Sequence, residues 1–262
     1  MDFFRFKTSS PAGDLISFLA GMKQVYEDTG RKALVYQRLG MVGLSHENSI
    51  HPFGNEQNEP IAMNKYMFDM LRPLLISQEY VEDFVGYDGQ EFEFDLDMIR
   101  RERFCNQPHG SLNRWFFYVF PQMACDLSKK WLDIVPTAHD KIIINFTQRH
   151  RNYLITYFFL KNYQDRIIFA GLKEERDLFC NQWGLDIPHL EVTNFLELTQ
   201  KIAGCKFYMG CQSFCFQLAE ATKTPRILEI FPMMPNVIPV GDKAYDFYTQ
   251  TDVEYRFEKL AK

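Results

Sequence analysis

The run KFYMGCQSFCFQLAEATKTPRILE, residues 206–229, constrains the fold of this chain more than any other. It reads as a buried strand, a tight turn at Gly210, a helix from about Ser213 and a second strand after Pro225. Gly210 lets the backbone come close to a ligand. Gln212 and Ser213 stand where a helix begins and its unpaired N–H groups can hold a phosphate. The segment therefore predicts the floor of a nucleotide site in an open α/β domain.

The residues ahead of it extend the pattern. KIIINFT (141–147) reads as a buried strand, YLITYFFLKNY (153–163) as a helix and DRIIFAG (165–171) as a strand. KEERDLFCNQWG (173–184) and NFLELTQKIAGC (194–205) read as two more helices. This alternation predicts a doubly wound parallel sheet. In such sheets ligands bind beyond the carboxyl ends of the strands, where the loops NFTQRHRN, AGLKEE, EVTN and MGCQS would gather. The last stretch, 241–262, reads as a charged helix with an irregular lead-in.

The first half is less regular. FFRFKT (3–8) predicts a strand, and Leu15, Phe18, Leu19, Met22 and Val25 lie at helical spacing in a helix over 15–28. KALVYQRLG (32–40) follows as a second strand, so the three form a βαβ unit and imply parallel pairing. Residues 45–62 are polar and carry Pro52, Gly54 and Pro60, which predicts a surface loop. Residues 66–85 read as helical on either side of Pro73, and 123–134 as a further helix. At 262 residues the chain suits two modest domains sharing a cleft. VPTAHD (135–140) is the expected linker, dividing the chain into 1–138 and 139–262.

Composition narrows the function classes. Aromatic residues make up 16% of the chain, but their even spread favours packing over a platform for stacking bases. A net charge of -5 argues against a broad grip on a nucleic-acid backbone, and RRER (100–103) and RHRN (149–152) are the dense basic spots. Six cysteines at irregular spacing, with no CxxC pair, suit reduced thiols in a cytoplasmic protein. Nothing resembles a signal peptide, and no stretch reaches the ~18 apolar residues that a spanning helix needs.

Four spots carry candidate chemistry. Asp14, at the mouth of the first helix, suits either an N-cap or a general base that takes a proton from a hydroxyl. Thr147, Gln148 and Arg149 follow a strand, where they can hold diphosphate oxygens or form a solvated basic loop. Glu174 and Glu175 open a helix just after Gly171, where acidic residues complement the dipole; a contact to a ribose or base edge is the alternative. Gln212, Ser213, Gln217 and Glu220 form the strongest group. Gln217 and Glu220 share a face of an otherwise apolar helix and need a partner, either a ligand or the neighbouring domain.

Other patterns carry less. The Asp-x-Asp at 95–97 resembles the one that holds a divalent metal in some sugar transferases, but EFEFDLD alternates like an exposed strand. The six histidines show no HxxxH or HExxH spacing. GxGxxG, GxxxxGK[ST] and GxSxG are all missing.

GDLISFLAGMK (13–23) resembles the Gly-Asp motif and following helix of the heptosyltransferase-like glycosyltransferases. The series NFTQRHRN, IIFAGLKEE and 193–227 is similar to their donor-binding C-terminal domain in order and spacing, over about residues 141 to 240. The resemblance implies an α/β fold of two Rossmann-like, doubly wound parallel-sheet domains facing a cleft, the GT-B architecture. Beside that resemblance, a chain shorter than typical members predicts a reduced N-terminal domain. The resemblance also implies sugar transfer from a nucleotide-diphosphate donor to a glycan or glycolipid acceptor, with no metal or other cofactor, as in lipopolysaccharide-type synthesis. The expected location is the cytoplasm or the inner face of a membrane.

Carried across by position, the family's aspartate falls on Asp14, the implied base. Its Asp-Thr/Ser-Gly-x-x-His run falls on Gln212, Ser213, Phe214 and, at the histidine, Gln217; only the hydroxyl is kept. The implied donor site comprises Thr147, Gln148, Arg149, Gly171, Glu175, Thr193, Gln212, Ser213 and Gln217. A sugar-nucleotide epimerase of the same shape and a non-catalytic nucleotide-sugar-binding protein stay open as alternatives.

Overall fold

The computed structural model describes residues 3–43, 54–55, 57, 59–101 and 110–262. Much of the loop expected at 45–62 and the end of the RRER run lie outside the described residues. In the first half, β1 (Phe4–Thr8), α1 (Ala12–Thr29), β2 (Ala33–Gln37), α2 (Lys65–Ile76), β3 (Val81–Gly86) and β4 (Phe94–Asp95) follow one another. Their strands form a parallel sheet in the order β3-β2-β1-β4. Among the described residues this half also contains α3 (Met98–Arg101), α4 (Leu112–Val119) and a 3-10 turn at Pro121–Met123.

The second half begins with β5 (Ile142–Asn145), β6 (Ile167–Phe169) and α5 (Lys173–Trp183). It continues with α6 (Phe195–Gly204), β7 (Tyr208–Gly210), α7 (Phe214–Thr222) and β8 (Arg226–Glu229). β9 (Ala244–Phe247) and α8 (Gln250–Ala261) end it, and the five strands are all parallel in the order β6-β5-β7-β8-β9. Ile143 faces one core while Ile142 and Ile144 face another. Successive strand residues point to opposite faces, so a parallel sheet covered on both sides demands an unbroken apolar strand.

One of these cores joins the two sheets. It contains Phe6, Leu15 and Phe18 from the first half together with Tyr208, Phe216 and Leu228 from the second. Helix α1 lies at its centre and is buried on nearly every side through its first three turns, where it packs against α7 and α4. A helix apolar all round belongs inside a protein. Among the described residues, no helix is long and apolar enough to cross a membrane. Polar contacts fix the junction: Ser17 Oγ donates to Gln217 Oε1 at 3.2 Å and Trp131 Nε1 to the Ile16 carbonyl at 2.9 Å.

Several elements differ from the sequence expectation. α1 starts at Ala12, after Pro11, which puts Asp14 inside its first turn and leaves Pro11 at the N-cap with no side-chain bond. Pro11 is extended, at ψ 163°, so it stands just outside the helix and Ala12 is the first helical residue. α2 passes through Pro73 and stops at Ile76; Val81–Gly86 is not helical but strand β3, drawn into the sheet beside β2. Residues 123–134 are not a helix. Their backbone instead meets the end of α7, with the Trp131 and Leu132 N–H groups both donating to the Ala221 carbonyl at 3.0 and 3.2 Å. The helix expected over 153–163 is a set of 3-10 turns at Phe158–Arg166, and the lead-in to α8 contains the fifth strand, β9. The acidic 91–97 run adds only the two-residue β4 beside β1, and its aspartates serve Lys7, whose Nζ lies 3.0 Å from Asp95 Oδ1 and 2.8 Å from Asp97 Oδ2.

Gly210 makes its close approach to protein. A Cβ there would stand 2.4 Å from the Asn145 carbonyl oxygen and 2.4 Å from the Tyr208 hydroxyl. Since backbone of a paired strand cannot easily move aside, Gly210→Ala should lower stability by about 1–3 kcal/mol. Urea unfolding of the variant beside wild type measures this, and an unchanged midpoint would contradict it.

Candidate active site

Parallel strands send their C-terminal loops to one edge, and here those after β5, β6, β7 and β8 share it. The first turn of α1 meets that edge directly. A Cβ on Gly13 would stand 3.7 Å from Phe214 Cα and 3.8 Å from Gln217 Cγ. Asp14 follows Gly13 and Ser213 precedes Phe214, so a carboxylate and the start of α7 flank one contact.

Asp14 is buried, and its carboxylate is ion-paired with the Arg100 guanidinium of α3. Arg100 belongs to the RRER run, where nothing in the sequence distinguished it from a surface charge. Ser213 is the N-cap of α7: its Oγ accepts the Phe216 N–H at 3.3 Å and lies 3.4 Å from the Tyr208 hydroxyl. A helix start of this kind leaves N–H groups and a positive dipole end available to an anion.

The glutamines are engaged elsewhere. Gln212 donates through Nε2 to the Met234 carbonyl at 3.1 Å and to Asn236 Oδ1 at 3.0 Å, and its Oε1 accepts the Phe231 N–H at 2.9 Å. It therefore ties down the segment after β8. Gln217 meets Ser17 of the other half, so the partner it needed is the neighbouring domain. Glu220 turns away, to the fully buried Arg226 and to Lys223 at 2.6 Å.

A second group forms around the β5 and β6 loops. Thr147 is buried, with Oγ1 donating to the Arg149 carbonyl at 3.0 Å and its N–H to Cys211 Sγ at 3.3 Å. Gln148 is exposed. Arg149 is half-buried, and its Nε has no hydrogen-bond partner. Nor has Oδ1 of Asn145, a buried residue that sequence reasoning missed because an amide ending an apolar strand carries no signal of its own. Gly171, at φ +116°, closes over this group: a Cβ there would stand 2.4 Å from Asn145 Nδ2 and 3.2 Å from Glu175 Oε2.

Glu175 lies in the first turn of α5, where its Oε2 accepts the Leu172 N–H at 3.4 Å, and Glu174 is exposed. Burial pushes the Glu175 carboxyl above its ordinary pKa, against the pull of that N–H and the Arg149 charge. Thr193 precedes α6 with its N–H and hydroxyl on Glu197 Oε2, at 2.9 and 2.8 Å. Two residues on, the Phe195 ring lies 4.6 Å from that of Phe214, so this rim adjoins the start of α7. The two groups connect through the Cys211 N–H, which donates to the Asn145 carbonyl at 3.2 Å.

No family model matches the sequence, and no curated protein does. Solved structures do. E. coli heptosyltransferase WaaC with ADP-2-deoxy-2-fluoro heptose matches 98% of this chain and 99% of its own, at TM-score 0.61 and 11% identity. The E. coli ADP-heptose LPS heptosyltransferase II matches 99% and 98%, at TM-score 0.60 and 11% identity. This chain has the heptosyltransferase fold. Both sheets fall within the match, so the expectation of two Rossmann-like domains in the GT-B arrangement holds across the chain. The bacterial heptosyltransferase TibC, in complex with ADP-D-beta-D-heptose, is similar over 95% of this chain and 63% of its own, at TM-score 0.57 and 13% identity.

The Glu175 carboxyl gives a test with a definite sign. With its folded pKa raised, the protonated form contributes stability that is present below the unfolded pKa and lost as pH rises through the folded one. Glu175→Gln keeps an acceptor for Leu172 and removes the charge. It should be more stable than wild type at about pH 8 and no more stable at about pH 4. Urea unfolding at both pH values reads this, and an equal gain at both would refute the assignment.

Proposed function

We propose that this protein is a glycosyltransferase that moves a sugar from a nucleotide-diphosphate donor to an acceptor hydroxyl. The observation that carries this reading is the Gly13–Phe214 contact, which puts Asp14 beside the N-terminus of α7 in a heptosyltransferase fold. The donor diphosphate lies against Thr147, Arg149, Ser213 and the start of α7, with Gln148 and Thr193 on the rim. Gly171 and Glu175 face the nucleoside. Gln212 and Gln217 act indirectly, by holding the segment after β8 and the register of α1.

Asp14 takes the proton of the acceptor hydroxyl as that oxygen attacks the anomeric carbon. The bond to the diphosphate breaks, and Arg149 with the helix dipole stabilises the departing charge, so no metal is required. Arg100 must leave the Asp14 carboxylate before it can act. Likeness to heptosyltransferases solved with ADP and ADP-linked sugars supports an ADP-sugar as first donor candidate. It also supports an acceptor of the lipopolysaccharide type; on this reading the acceptor is a glycan or glycolipid met at the inner face of a membrane.

A second reading, nucleotide-sugar binding without turnover, is favoured by the Asp14–Arg100 pair and by the engaged amide of Gln212. A thermal-shift panel of UDP-, GDP-, ADP-, CMP- and dTDP-sugars comes first. A true donor at a hundred times its dissociation constant should add about 2.7 kcal/mol of stability, and no shift with any member defeats both readings. With the donor in hand, Asp14→Asn should slow transfer by ~10²-fold or more while keeping the thermal shift. A loss within about threefold would remove Asp14 as the base. Turnover should also survive EDTA, and abolition by chelation would end the metal-independent mechanism.

A further inference from the structure

Two arginines in the loop after β5 have different surroundings. Arg149 is half-buried and its Nε has no hydrogen-bond partner, whereas Arg151 is enclosed. The Arg151 guanidinium lies 4.7 Å from the ring centre of Phe146, 5.6 Å from that of Tyr157 and 5.8 Å from that of Phe179. Its ionic partner is Glu229, the last residue of β8, which is fully buried. Glu229 Oε1 accepts from Arg151 Nε at 2.9 Å and from the Asn152 backbone N–H at 2.6 Å. Its Oε2 accepts from Arg151 Nη2 at 3.4 Å and from the Tyr157 hydroxyl.

We infer that Glu229 is a positioning residue: acting through Arg151 and the Asn152 backbone, it fixes the loop that presents Thr147 and Arg149 to the donor diphosphate. The inference rests on the donor-side reading proposed above. Its physical basis is directional. A buried ion pair is weak evidence for stability, since apolar side chains of similar volume often serve as well. What the pair adds is orientation, because a carboxylate that holds a guanidinium and a main-chain N–H together leaves little freedom to the residues between. The loop has a second tie two residues from its end. His150, at φ +52°, places Nδ1 3.2 Å from the Gln212 carbonyl oxygen. Asn152 also donates through Nδ2 to the Tyr248 carbonyl at 3.0 Å. Thr147 and Arg149 lie just upstream, where a shift of about 1 Å in a phosphate contact can cost ~10²-fold in rate.

The test uses the full chain and a variant designed to stay folded. Arg151→Met/Glu229→Gln removes both charges at once and leaves an acceptor for Asn152 and a partner for Tyr157. Far-ultraviolet circular dichroism and a cooperative thermal transition confirm folding. The probe is whichever of ADP, UDP, GDP, CDP and dTDP most raises the wild-type melting temperature. Binding to the variant should weaken at least about tenfold, with faster hydrogen exchange at amides 147–152 and unchanged exchange in β5. In turnover, donor KM should rise, whereas a merely structural pair would lower only the active fraction and hence kcat. A folded variant that binds the probe within about twofold of wild type, or whose loop amides exchange at the wild-type rate, overturns the inference. Wild type that binds none of the five defeats the donor reading itself, which separates the two failures.

Discussion

The packing of α1 against α7 sets the geometry on which the rest depends. Two open sheets can be joined by a mobile linker or by a common core, and here apolar residues of both halves form one cluster around α1. A Cβ on Gly13 would be in ordinary contact with Phe214 Cα at 3.7 Å, whereas Gly21 must be small, because a Cβ there would stand 2.7 Å from Met123 Cβ. The buried Ser17–Gln217 bond then fixes the register. Because α1 follows β1 and α7 follows β7 with short loops, holding the helices together also holds together the C-terminal ends of the two sheets, where parallel α/β folds bind ligands.

Around that junction, buried charge serves to hold segments that lack a secondary-structure ladder. Glu220 pairs with Arg226 and receives the Val240 N–H at 3.2 Å, anchoring the stretch between β8 and β9. Glu229 does the same for the loop after β5 through Arg151 and Asn152. Lys7 gathers Asp95 and Asp97, and the Ser9 N–H joins Asp97 Oδ1 at 2.7 Å, so the end of β1 and the short β4 are tied together. Lys7, Glu220 and Glu229 each have an ionic partner and more than one hydrogen bond, as the cost of leaving a charge alone in a low-dielectric interior requires. Asp14 differs in position. Its partner Arg100 has a side chain 34% exposed, so this pair reaches solvent where the others do not.

Legibility follows the range of the forces involved. Apart from 153–163, which forms 3-10 turns in place of a helix, the alternation in 141–229, the N-cap at Ser213 and the strand after Pro225 were readable, because apolar periodicity and capping act over a few residues. The failures came where distant contacts prevailed. Val81–Gly86 continues a helical pattern by composition yet pairs with β2, and 123–134 has helical spacing yet gives its Trp131 and Leu132 N–H groups to the end of α7. In the site, residue types were visible but their assignments were not. Gln217 and Glu220, one turn apart on the same helix, have partners in opposite directions, Ser17 across the junction and Arg226 on the adjoining strand.

The sequence by itself determined the parallel α/β class, the βα units, and the concentration of polar residues at strand ends, since all three follow from local periodicity, turn chemistry and the handedness of crossovers. Only the tertiary structure decided which polar groups reach solvent and which are internal ties. That choice depends on burial and on partners far along the chain: Asp14 with Arg100, Gln212 with Met234 and Asn236, and Arg151 with Glu229. A charge or amide has no preferred neighbour until the fold removes water from around it. At that point the geometry of the surrounding elements, rather than the residue type, fixes its role.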